Sequence, residues 1–125
     1  MSLKVVQWAT GNVGRAAVEA MVSHPDLELV GAWVHSKDKS GRDVGEHCGL
    51  EPLGVKASSS IDEIIGLHPD CVLYSPLLPN QQEVVQLLEA GINVVTPLNW
   101  FYPGKRDVDV LRAACESGEA TLHGT

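Results

Sequence analysis

The start of the chain constrains it most: the apolar run Leu3 to Trp8 passes directly into Ala9-Thr10-Gly11-Asn12-Val13-Gly14-Arg15 and then into a helical pattern through Val22. A strand-like run, a glycine turn and a stretch carrying Ala16, Ala17, Val18, Ala20, Met21 and Val22 read as strand, turn and helix. In that arrangement Gly11 is expected to let the backbone turn sharply and approach an anion, and Gly14 to let the helix pack close to the strand. Free amides at the helix start would face the anion. Such a unit binds the pyrophosphate of a dinucleotide, although Ala9 stands where the G-x-G-x-x-G pattern has its first glycine.

The remainder of the chain continues the alternation that such a unit begins. Ser23-His24-Pro25-Asp26 breaks the helix, and Leu27 to Val34 reads as a second strand. Residues 36 to 54 are polar and glycine-rich without a sustained period, which predicts a long surface excursion over the cofactor side. Val55-Lys56-Ala57 reads as a short strand, and Ile61 to Leu67 as a helix that Ser60 caps and Glu63 reciprocates. Cys71 to Ser75 suits a buried parallel strand. The next helix has Asn80 as cap, Glu83 three residues on and Gly91 just past its end. Ile92 to Thr96 is a strand, Asp107 to Ser117 a helix ended by Gly118, and Ala120 to His123 one more strand. This order, with right-handed crossovers, predicts an α/β, Rossmann-type doubly wound parallel sheet with helices on both faces.

At 125 residues and 44% hydrophobic content, the chain is expected to form one dinucleotide-binding domain spanning 1–125, too short for a complete two-domain dehydrogenase. The net charge of −7, without basic runs, argues against nucleic acid and anionic membrane as partners. No apolar stretch is long enough to span a bilayer, the start leaves no room for a secretory signal, and Cys48, Cys71 and Cys115 suit reduced thiols. These features predict a cytoplasmic protein.

In open parallel sheets ligands lie beyond the carboxyl ends of the strands, so the residues after Trp8, Val34, Tyr74 and Val95 are the candidates. An NAD-selective domain usually ends its second strand with a carboxylate, and here His35-Ser36-Lys37 stands in that place. Ser36 and Lys37, or Lys39, would donate to a 2′-phosphate, which makes NADP the expected cofactor and NAD the alternative. Arg15 either lies near the pyrophosphate or is a solvated helix arginine. Ser75, Pro76 and Leu77, and one strand later Pro97, Leu98 and Asn99, form stiff loops where the nicotinamide half would pass. Trp100, Phe101 and Tyr102 either wall a pocket or pack against a following domain. His47 beside Cys48 does not establish a thiolate–imidazole pair and is expected on a surface loop. The histidines lack metal-ligand spacing, and neither a metal site nor a catalytic residue is assigned.

Thr10-Gly11-Asn12-Val13-Gly14-Arg15, Leu29-Val30-Gly31-Ala32 and Gly41-Arg42-Asp43-Val44-Gly45-Glu46 resemble the T-G-x-x-G-R turn, L-V-G-A strand and G-x-D-x-G-E loop of the dihydrodipicolinate reductase-like family, which includes 2,4-diaminopentanoate and related amine dehydrogenases. The resemblance is to the family's amino-terminal domain and covers the whole chain. It implies a Rossmann domain followed by an α+β substrate and oligomerisation domain, and reduction of an imine or enamine by NAD(P)H. It also implies that His35 and Ser36 meet the adenosine ribose, and that the loops at Ser75-Pro76-Leu77 and Pro97-Leu98-Asn99 meet the nicotinamide. The family's Gly-Thr-Thr-Gly-Phe appears as Pro97-Leu98-Asn99-Trp100-Phe101, and Tyr102-Pro103 resembles the diaminopentanoate-type enzymes, which carry glutamates where Leu98 and Asn99 stand. The expected substrate is thus a small molecule with a C=N or C=C bond, met through a C-terminal substrate domain absent from this chain, in an enzyme expected to be a homo-oligomer. The alternatives are a stand-alone nucleotide-sensing or protein-interaction domain, and an amine or carbonyl dehydrogenase on the same fold.

Overall fold

A computed structural model describes residues 2–97 and 108–124. Six parallel strands lie in the order β3-β2-β1-β4-β5-β6, where β1 is Leu3–Trp8, β2 Leu27–Trp33, β3 Ala57–Ser58, β4 Cys71–Tyr74, β5 Asn93–Thr96 and β6 Leu122–Gly124. The helices are α1 (Asn12–Ser23), α2 (Val44–His47), α3 (Ile61–Gly66), α4 (Gln81–Glu89) and α5 (Val108–Gly118), with a 3₁₀ turn at Lys37–Lys39. The doubly wound sheet inferred from the sequence is present. Among the described residues no helix is long and apolar enough to cross a membrane.

Side-chain alternation along the strands builds two cores, one on each face of the sheet. Val6, Trp8, Val72, Tyr74 and Val94 meet Ile64 of α3, Val84, Leu87 and Leu88 of α4, and Leu111 and Ala114 of α5. On the other face Val5, Leu29, Ala32 and Ala57 meet Val18 and Met21 of α1 and Val44 of α2. The parallel register sets Trp33, Trp8 and Tyr74 side by side on β2, β1 and β4, with the two indoles stacked at 4.6 Å.

Both expected capping boxes contain an inserted hydroxyl. Ser60 Oγ accepts from the Glu63 N–H at 3.3 Å, but the Ser60 N–H donates to Ser58 Oγ, and the Ser58 hydroxyl in turn donates to the Glu63 carboxylate. At α4, Asn80 Oδ1 accepts from the Gln82 and Glu83 N–H groups, while the Asn80 N–H donates to the Tyr74 hydroxyl and that hydroxyl donates to Glu83 Oε1. The second relay fastens the start of α4 to the end of β4.

Residues 36–54, expected as a long surface excursion without sustained period, contain the 3₁₀ turn and α2. Asp43 caps α2 through Glu46 N–H and also accepts from Leu53 N–H at 3.0 Å and Gly54 N–H at 2.7 Å, closing the segment on itself. The Val44 N–H takes the Val55 carbonyl at 2.7 Å, so Val55 and Lys56 face this segment and β3 begins only at Ala57. Gly118 differs as well, being the last residue of α5 rather than its terminator, with Glu119 adopting φ 54° after it. Its missing side chain serves packing, since a Cβ there would stand 1.7 Å from the Leu88 carbonyl oxygen of α4.

Gly118→Ala should therefore lower stability by about 1–3 kcal/mol, the usual cost of overpacking, as read by urea denaturation. The Leu53 N–H foremost, against an opposing effect of burial and with help from Glu46 and Gly54, holds the Asp43 carboxyl below its ordinary value. A depressed carboxyl stabilises the fold above its unfolded value of 3.8 and loses that contribution as pH falls through the folded value. Asp43→Asn should accordingly speed amide exchange at Leu53 and Gly54 at neutral pH. The stability gap between variant and parent should close in acid.

Candidate nucleotide-binding site

Because every strand is parallel, the four candidate loops all lie at the carboxyl edge of the sheet, and β1 sits between β2 and β4, where the strand order reverses. The sharp turn after β1 is made by Ala9, at φ 79°, a left-handed conformation unusual for a residue with a Cβ. Its N–H donates to the Trp33 carbonyl at 2.8 Å and its carbonyl accepts from Gln7 Nε2 at 2.9 Å. The turn assigned to Gly11 is thereby corrected: Gly11 has an ordinary φ of −68°, and a Cβ built on it meets nothing within 4 Å. Gly14 is different, for a Cβ there would lie 2.1 Å from the Ala9 carbonyl oxygen, so close packing of helix on strand requires glycine at this place.

Gly11 caps α1 without a side-chain hydrogen bond, and the helix has no acid in its first turn. The Arg15 N–H makes the bond back to the Gly11 carbonyl at 2.8 Å, leaving the Asn12 and Val13 amides in the open first turn beside the empty space at Gly11. Asn12, Val13 and Arg15 are exposed, and Thr10 is half-buried.

Gln7, a polar residue inside the apolar run, crosses from this turn to the loop after β4. Fully buried, it donates from Nε2 to Ser75 Oγ at 2.7 Å as well as to Ala9. Ser75 N–H donates to the Trp8 carbonyl at 3.1 Å, so the hydroxyl expected at the nicotinamide loop is engaged in joining β4 to β1. Pro76 is buried, while Leu77 and Leu78 stand 94% and 81% exposed on a loop fixed at its far end by the Tyr74 relay. Pro97 is exposed directly after β5. Leu98 and Asn99, and the aromatic trio that follows them, lie outside the described residues.

After β2, the exposed His35 ring leans against Trp33, and Ser36 Oγ accepts from the Asp38 N–H at 3.2 Å, capping the 3₁₀ turn and keeping its own proton available to a ligand. Lys37 is exposed beside it. Sequence reasoning did not foresee what joins these residues. His47 Nε2 lies 2.8 Å from Thr10 Oγ1, which brings α2 onto the glycine turn, and the charges of Lys39, Arg15 and Arg42 act on this imidazole. Burial, foremost, and those cations push its pKa below the ordinary 6.5. Cys48 is not its partner, and burial pushes the Cys48 thiol upward, away from a reactive thiolate. The G-x-D-x-G-E-like loop carried the available signal for this closure, but not its direction.

Residues 5–95 match the family described as dihydrodipicolinate reductase, N-terminus. The chain is 36% identical over 107 residues to an amine dehydrogenase of Streptomyces virginiae, covering 81% of this chain and 29% of that protein. It is 35% identical over 82 residues to a 4-hydroxy-tetrahydrodipicolinate reductase of Synechococcus elongatus, covering 54% of this chain and 30% of the relative. The solved amine dehydrogenase of Mycobacterium smegmatis superposes with a TM-score of 0.89 at 27% identity, over 100% of this chain and 39% of that one. The chain thus spans about a third of the length of these proteins. With a glycine turn at the strand-order reversal and a family match across most of its length, the chain belongs to the dihydrodipicolinate reductase N-terminal family, the NAD(P)-binding domain of a group of oxidoreductases.

Proposed function

We propose that the chain binds NADP and forms the cofactor half of an enzyme that transfers hydride between the nicotinamide and the carbon of an imine or amine. The observation that carries this reading is the contrast between its two turn glycines. Gly14 is required by the chain's own packing, whereas among the described residues nothing lies within 4 Å of a Cβ at position 11. The open space there adjoins uncapped amides at the start of α1, which suits the close approach of a pyrophosphate.

Thr10 to Arg15 hold the pyrophosphate on this reading. His35, Ser36 and Lys37 receive the adenosine ribose, with Ser36 and Lys37 donating to its 2′-phosphate. Ser75-Pro76-Leu77 and Pro97-Leu98-Asn99 border the nicotinamide half, Ser75 mainly by keeping the loop on Gln7. The bound nicotinamide supplies the hydride chemistry, and these residues supply position and exclusion of water. The greater length of the relatives supports a substrate domain beyond this one, and Leu77 and Leu78 offer it an apolar rim.

Gly11→Val should lower the unfolding free energy by no more than about 1 kcal/mol, the cost of replacing a glycine at the helix cap with a β-branched residue, yet weaken NADPH binding by more than about tenfold in calorimetric titration. Undiminished binding would refute the turn as the pyrophosphate site. Lys37→Ala should cost NADPH about tenfold, the value of one charge-assisted hydrogen bond, and leave NADH unchanged. Equal loss for both nucleotides would remove Lys37 from the 2′-phosphate.

A further inference from the structure

His47 is 37 residues from Thr10 in the chain, yet their side chains meet at 2.8 Å. The short helix that carries it is anchored twice, by the Asp43 carboxylate on the Leu53 and Gly54 amides and by the buried Val44. The charged groups acting on the ring come from three elements: Arg15 from α1, Lys39 from the 3₁₀ turn and Arg42 from the loop before α2. Its acidic neighbours do not answer them. Asp43 is turned to backbone amides, and Glu46 is exposed and exerts no resolved effect on the ring. Among the described residues none of the three cations forms an ion pair, and His47 Nδ1 has no hydrogen-bond partner. In a chain of net charge −7, unpaired cations whose charges act on a partly buried imidazole held on the glycine turn are complementary to an anion that the protein does not itself supply.

We propose that His47 is a phosphate-binding residue of the nucleotide site, held on the glycine turn by Thr10, and that it engages the phosphate as an imidazolium. The proposal rests on the nucleotide-binding reading above. In the free protein burial and the surrounding cations favour the neutral ring, and in the tautomer protonated at Nδ1 the Thr10 hydroxyl donates to its Nε2. An entering phosphate offsets the cations and favours the charged ring. His47 then takes one proton from solvent, its Nε2–H donates to Thr10 Oγ1, and the Thr10 hydroxyl hydrogen, remaining on its oxygen, turns to donate a hydrogen bond to the phosphate. No other bond is made or broken. Sequence reasoning left this residue on a surface loop; the folded segment brings it to the turn and couples nucleotide uptake to proton uptake.

The test is calorimetric titration of the chain with NADH, whose pyrophosphate does not titrate near neutrality, in two buffers of different ionisation enthalpy. Net proton uptake is expected, with affinity rising about fivefold or more as pH is lowered from about 8 to about 6. His47→Gln keeps a hydrogen-bonding side chain for Thr10 and should abolish both effects while retaining a cooperative thermal transition. Proton NMR of the unaltered chain provides a second readout that needs no variant: the His47 ring resonances should titrate at higher pH with NADH than without it. Binding without proton uptake, or identical linkage in His47→Gln, overturns this proposal and leaves the nucleotide site standing. Absence of NADH and NADPH binding overturns both.

Discussion

The carbonyl oxygen of Ala9 is the point on which the site depends. Gln7 donates to it from below, and α1 lies so close above it that residue 14 has no room for a Cβ. Holding Ala9 at positive φ costs about 1–2 kcal/mol for an L-residue, and the conformation persists because both its N–H and its carbonyl are bonded. That geometry directs the first turn of α1 over the carboxyl edge of the sheet.

The same few side chains connect the separate loops. The Gln7 amide spans the β1 turn and Ser75, and the Tyr74 hydroxyl ties the other end of the two-proline loop to the cap of α4. Stiffness at this edge therefore comes from hydrogen bonds as well as from proline rings. Electrostatics add a second layer. An acidic chain repels anions at long range, but solvent screens that effect, so the open amides and nearby cations set the local potential at the turn.

The helices α1 and α4 could be read in the sequence because their determinants are local. Asn80 and Glu83 lie within a single turn of each other, and Val18 and Met21 recur at helical spacing. The segment from Ser36 to Gly54 could not, because its organiser is one carboxylate bonded to amides ten and eleven residues away. Neither periodicity nor propensity registers such a clamp. Gly118 was misread for a similar reason: glycine after an apolar period signals a helix end, while its actual constraint is the carbonyl of a residue on another helix.

By itself the sequence determined the order of the six strands and of the four longer helices and the position of the glycine turn at the carboxyl edge of the sheet, all consequences of periodicity, caps and the handedness of parallel crossovers. Tertiary structure alone decided that Ala9 rather than Gly11 bends the chain, that Gln7 and Ser75 bind each other, and that His47, on which the charges of Lys39 and Arg42 act, meets Thr10. Those outcomes depend on distances between residues far apart in the chain. Such distances arise only when the two cores pack and bring the segments together.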